Sequence, residues 1–137
     1  MNHAQLRAAI LRAFPESQLT PVPEQRIDAI RTRYPDAPES YLAFLREVGW
    51  GGIGGSNFML YDWPSSPSGI FDPVTAAELD GVLFFGDDFS GWHAGFDTRN
   101  GWRIVGVSSA FPEVLPERDA TIADFVARWV ADCAPRR

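Results

Sequence analysis

The chain has no lysine, one cysteine and two histidines among its 137 residues, and each shortage closes off a class of chemistry. With Cys133 alone, no intrachain disulfide can form, so the oxidising compartments lose their usual signature and a cytoplasmic chain is expected. Zinc sites need about four Cys, His or carboxylate ligands at suitable spacing. Cys133, His3 and His93 lie far apart, so neither a metal nor any other cofactor is expected. No stretch approaches the roughly 18 apolar residues of a membrane span. Met1–Gln5 lacks a basic segment leading into an apolar run, so neither export nor insertion is expected. The glycine run Gly51-Gly52-Ile53-Gly54-Gly55 is not followed by Lys-Ser/Thr and leads into alternating residues. It reads as a tight loop between helix and sheet, not as a phosphate cradle.

The chain is of ordinary single-domain size and composition, with 45% hydrophobic and 22% charged residues, enough to build a core without a staple. Its charge is uneven. Between Arg46 and Arg99 there is no basic residue but eight acids, Glu47, Asp62, Asp72, Glu78, Asp80, Asp87, Asp88 and Asp97. That middle carries −8 against +2 on the flanks, giving the net −6. Such a field repels nucleic acid and would speed encounter with a basic partner. The competing explanation is that these acids cap helices, fill turns and keep the protein in solution.

Apolar spacing predicts helices over Ala4–Phe14, from about Pro23 to Tyr34, and from Asp36 or Ala37 to Val48, with Pro15, Pro35 and Gly49 as stops. Phe58–Tyr61 alternates as a strand, Asp62–Gly69 has loop composition, and Ile70-Phe71 adds a few extended residues. Asp72-Pro73 then caps a short helix to Leu79. Val82-Leu83-Phe84-Phe85 is a continuous apolar run, expected as a strand buried on both faces at the sheet's centre. Trp92–Asp97 and Trp102–Val107 form a hairpin around Asn100-Gly101. Thr121 caps a last helix whose Ile122, Phe125, Val126, Trp129 and Val130 share one wide face, and Ala134–Arg137 is expected to fray. This order predicts an α+β fold: a mainly antiparallel twisted sheet of about four to six strands, with N- and C-terminal helices packed around it, in a single domain over residues 1–137.

Catalytic candidates are few. Cys133 falls at the end of the last helix's apolar stripe, where a small buried residue is expected. His93 lies near Asp87, Asp88 and Asp97, so a carboxylate-assisted base is conceivable. Strand alternation instead places it with Gly95 and Asp97 on a solvent-facing row opposite Trp92, Ala94 and Phe96. Asp87-Asp88-Phe89-Ser90-Gly91 lacks the repeat of a calcium loop and reads as a turn. No catalytic residue is expected.

The run Tyr34-Pro35-Asp36-Ala37-Pro38-Glu39-Ser40-Tyr41-Leu42-Ala43-Phe44-Leu45, followed by Val48-Gly49-Trp50-Gly51-Gly52, resembles the signature of the SUKH superfamily. That signature combines a proline-initiated helix carrying an aromatic and a Phe-Leu pair with a Gly-Gly turn; Trp50 stands where the family often has Gly or Asn. The likeness extends to Leu83-Phe84-Phe85-Gly86-Asp87-Asp88 with Gly91, to Phe96-Asp97 and the hairpin, and to Ile122-Ala123-Asp124-Phe125-Val126, covering roughly Ile27 to Val130. The family includes a fungal cell-wall-assembly regulator and many bacterial proteins encoded beside polymorphic toxins. The resemblance therefore implies a non-enzymatic immunity protein that binds and neutralises a polymorphic or contact-dependent toxin, for which a basic nuclease fits the charge. The alternative it allows is a regulatory or scaffold domain that self-assembles or binds a cellular partner. The candidate partner contacts are the residues least needed for a core: Trp50, Asp62, Trp63, Asp87, Asp88, Trp92 and His93. For Trp50 and Trp63 the competing role is to lid the core edge.

Overall fold

Helix ends in this chain are set by local chemistry, and the computed structural model, which describes residues 1–134, shows how. Asn2 opens α1 (His3–Ala13) with a reciprocal capping box: its side chain accepts from the Gln5 amide while Gln5 reaches back to the Asn2 amide. Pro23 and Pro38 stand at the caps of α2 (Glu24–Arg33) and α3 (Glu39–Glu47), where a missing N–H costs nothing. Thr121 accepts from the Asp124 amide to start α5 (Ile122–Cys133). Asp72 accepts from both Val74 and Thr75 amides to start α4 (Pro73–Glu78). Of the C-terminal tail expected to fray, residues 135–137 lie outside the described residues.

Six strands form one sheet in the order of the chain, every neighbouring pair antiparallel: β1 (Gly51–Ile53), β2 (Phe58–Ser65), β3 (Val82–Asp87), β4 (Trp92–Asp97), β5 (Arg103–Ser108) and β6 (Leu115–Pro116). The chain is α+β, with helices from its two ends flanking the sheet. One face carries Ile53, Phe58, Leu60, Phe85, Ala94, Phe96 and Ile104 into the main core with α1, α2, α3 and α5. The other face carries Val82, Phe84, Val105 and Val107 into a smaller core. That second core is roofed by Leu79, Ile70 and Phe71 from the β2–β3 connection. Because both faces of β3 are covered, its first five residues are all buried, and it lies third of six.

Several expectations change. The glycine run is partly strand: Gly51–Ile53 pairs with Phe58–Leu60. Its outer edge is covered by residues 17–20, with Gln18 N donating to Gly52 O at 3.0 Å and Thr20 and Trp50 exchanging backbone bonds at 2.9 Å. Gly51 has φ +127, and a Cβ there would lie 1.9 Å from the Gln18 carbonyl oxygen, so only glycine admits this strap. β2 runs on through Asp62-Trp63-Pro64-Ser65, read as loop in the sequence. Leu60 pairs with Gly86 and Ser65 with Phe84, so a bulge absorbs the extra residues and Pro64 sits where the ladder is already broken. Ile70-Phe71 is not extended; it follows a one-turn 3-10 helix at Pro67–Gly69. The β4–β5 hairpin turns over residues 98–102, since Asp97 pairs with Arg103. Gly101 and Trp102 both take positive φ there, so Trp102 belongs to the turn.

Candidate functional site

β1–β2, β3–β4 and β5–β6 all turn at the same end of the meander, and that end holds the most unusual surface. Asp87 Oδ1 accepts from the Phe89 amide at 2.8 Å, and Asp88 Oδ1 accepts from the Ser90 and Trp92 amides at 2.8 and 3.0 Å. The two carboxylates thus build the β3–β4 turn from inside. Phe89 is held at φ +64, a region a bulky side chain avoids, and is 50% exposed. Ser109 N donates to Gly91 O at 2.7 Å, joining this turn to the β5–β6 loop. Phe111 on that loop is 81% exposed and Leu115 at its far end 55%.

Beside Phe89 lies an open groove of about 430 Å³. Gly51, Gly52, Gly54 and Gly55 leave its floor as nearly bare main chain, Trp50, Met59 and Phe89 supply apolar wall, and Glu16 contributes a carboxylate. Trp50 is half-buried against the main core, so it both lids the core edge and lines the groove.

The seven residues singled out from the sequence separate into four places. Trp50, Asp87 and Asp88 belong to this end. Asp62 and Trp63 lie on the bulged part of β2 and clip α2: Arg26 Nε is 3.3 Å from Asp62 Oδ2, and its guanidinium sits 4.8 Å over the Trp63 ring. Trp63 also packs on Tyr34. Trp92 stacks on Phe125 and Trp129 of α5 at 6.0 and 5.7 Å. Its indole covers Gly106 so closely that a Cβ there would lie 2.4 Å away.

His93 corrects the expected solvent-facing row: it is 9% exposed, sealed between Phe71 and Phe84 at ring distances of 5.2 and 5.7 Å. His93 is buried because Ile70 and Phe71 before α4, with Leu79 just after it, roof this face of the sheet. Burial lowers the imidazole's pKa, while Asp87 and Asp88 pull the other way. Its Nε2 is 3.2 Å from Ser109 Oγ, but its Nδ1 is buried without a partner. Both Asp87 oxygens are engaged, Oδ2 by the Tyr61 hydroxyl and Oδ1 by the turn. A serine–histidine–carboxylate relay needs the acid on Nδ1–H, so Ser109 and His93 are joined but Asp87 is not joined to the imidazole. Desolvation and the Asp87 hydrogen bond together push the Tyr61 hydroxyl's pKa up.

Cys133, expected to be buried, is exposed: its spacing from Val126 and Val130 keeps it on their stripe, but it is the last residue of α5, where that stripe ends. Its thiol pKa is raised by partial burial and by Asp132. Among the described residues, no group of three or more His, Cys, Asp or Glu side chains is placed to share a metal ion, and no helix is long and apolar enough to cross a membrane.

Sequence reasoning missed Phe89, Phe111, Glu16 and Met59. The available signal was an aromatic residue inside an Asp-Asp-x-Ser-Gly turn, where Gly or Asn is the natural occupant. No family model, curated protein or solved structure matches this chain.

Proposed function

We propose that this chain is a non-enzymatic binding protein of the immunity type, which neutralises a bacterial polymorphic or contact-dependent toxin by covering it. The observation that carries the binding reading is the exposure of Phe89, Phe111 and Leu115 on connected turns, in a chain whose middle segment holds eight acids and no base. Interfaces are organised in that way, with aromatic anchors at the centre and charge complementarity at the rim. The immunity reading rests on the SUKH resemblance, which runs in order from the Tyr34–Leu45 segment through Gly51-Gly52 and the Asp87-Asp88 turn to the last helix.

Neutralisation of this kind asks for a pre-formed surface and no reacting group. A basic nuclease domain is the toxin whose charge this chain complements, and association with it would be fast at low salt and slower as salt is added.

Co-purification with the product of the neighbouring toxin gene tests the reading: a one-to-one complex at micromolar concentration is the expected result, and no detectable complex refutes it. The alternative, a regulatory or scaffold domain, predicts instead a metabolic or signalling operon around the gene and concentration-dependent self-association in sedimentation.

A further inference from the structure

We propose that the turn end of the sheet is a docking surface for a positively charged protein, with the groove between Trp50 and Phe89 receiving an arginine or lysine side chain. The inference rests on the binding reading above and specifies which face binds and what chemistry it takes.

Phe89 is the first reason. Its turn needs a positive φ at that position, which Gly or Asn supplies with little strain, while the Phe side chain stays half in solvent. The fold therefore bears both a strained backbone and an exposed ring at one residue, with no core contact that requires either. Such strain gathers where a side chain has to be presented. Phe111 repeats the exposure two residues beyond the Ser109–Gly91 bond that ties the two turns together.

Charge selects the occupant. Residues 50–59, 86–94 and 106–114 form this end, and they contain Asp87, Asp88 and Glu113 but no arginine or lysine. Glu16 stands at the groove. Among the described residues, neither Glu16 nor Glu113 takes part in a side-chain hydrogen bond or salt bridge. A second copy of the chain would bring like charges together on this face, and anionic lipid or nucleic acid would be repelled. A basic side chain fits the groove on all counts: its stem can lie over the glycine floor and Met59, and its cation can meet the aromatic faces and the Glu16 carboxylate.

The test has two arms. In the first, a random dodecapeptide display library is panned on the immobilised full chain. Enrichment of peptides carrying arginine or lysine beside apolar residues is expected. Their affinity should fall at least about tenfold on Phe89→Ala/Phe111→Ala and several-fold on Glu16→Arg, and stay unchanged on Arg103→Ala at the opposite end. Circular dichroism and the thermal transition verify that each variant is folded. Peptides that are neutral or acidic, or that bind the double aromatic variant as well as the parent, overturn the proposal. In the second arm, the neighbouring-gene toxin is the probe. If it fails to bind while the peptides select this face, the immunity reading falls and the face stands. If it binds the double aromatic variant undiminished, the face falls and the immunity reading stands.

Discussion

Replacing Phe89 by glycine should make the protein more stable. A non-glycine residue in the left-handed region costs roughly 1–2 kcal/mol, and Phe89 sits there at φ +64 with its ring half in solvent. Glycine removes that strain but gives up about 0.5–1 kcal/mol through the greater freedom of its unfolded chain. The difference of the two midpoints leaves a net gain of roughly 0.75 kcal/mol. Unfolding entropy of about 2.1 cal/mol/K per residue, applied to 137 residues, converts this to a rise in Tm of about 2–4 °C. Alanine at the same place keeps a Cβ and hence the strain, so Phe89→Ala should lie close to the parent. Thermal and urea unfolding of the three proteins decide the matter. If the glycine variant is no more stable than the alanine variant, the turn stores no strain and the first argument for a presented aromatic is lost.

Other consequences follow from single sites. Gly51→Ala drives a Cβ into the Gln18 carbonyl and should cost about 3 kcal/mol; hydrogen exchange should locate the loss at the 17–20 strap and β1, and uniform loss would contradict this origin. Tyr41→Phe removes a buried hydroxyl that has no partner and should be neutral or stabilising by up to about 1 kcal/mol; a loss of that size in urea titration would reveal a partner for the hydroxyl. His93 is held below its ordinary pKa mainly by burial, so the unfolded chain binds its proton more readily than the folded one. The stabilising effect is complete above the unfolded pKa of about 6.5 and is lost as pH falls through the lower folded value. The urea midpoint should therefore drop across that acidic window, and His93→Gln should flatten this part of the profile; an unchanged slope would show that other groups set it.

The elements legible in the sequence are those whose own side chains decide their environment. α5 declares itself through Phe125, Val126 and Val130 on one stripe, and β3 through an uninterrupted apolar run that both cores consume. β1 was hidden because Gly51 and Gly52 have no side chains to pattern; the strand exists through backbone bonds to β2 on one side and to residues 18–20 on the other. The far half of β2 was hidden because a bulge lets Pro64 and Ser65 sit in a strand. His93 looked solvent-facing because alternation reports which side of a strand a residue occupies, and the roof over that side comes from Ile70, Phe71 and Leu79, in a segment with loop composition. Of the proposed binding face, only Trp50, Asp87 and Asp88 were visible in advance. Phe89 and Phe111 depend on which turns the meander brings together.

The acidic middle, read in the sequence as a field, divides in the structure into acids with separate duties. Asp72 caps α4, with its pKa lowered chiefly by the Thr75 backbone amide; Asp62 pairs with Arg26, Asp80 with Arg99, and Glu47 with His3; Asp97 accepts from Arg99 N and from Asn100. Asp87 and Asp88 hold the turn that presents Phe89. Their charges still contribute at a distance, but reversing either one also releases backbone amides and the strained Phe89 that follows them. An association rate that fell on Asp87→Arg or Asp88→Arg would thus mix lost steering with a lost anchor. Glu16, Glu78 and Glu113 carry no such burden. Steering by net field predicts that Glu78→Arg, which lies on α4 away from the turn end, slows association with a basic partner about as much as Glu113→Arg, each effect vanishing with added salt. Docking at the turn end predicts that Glu113→Arg acts far more strongly and also speeds dissociation, and stopped-flow rates for this pair separate the two.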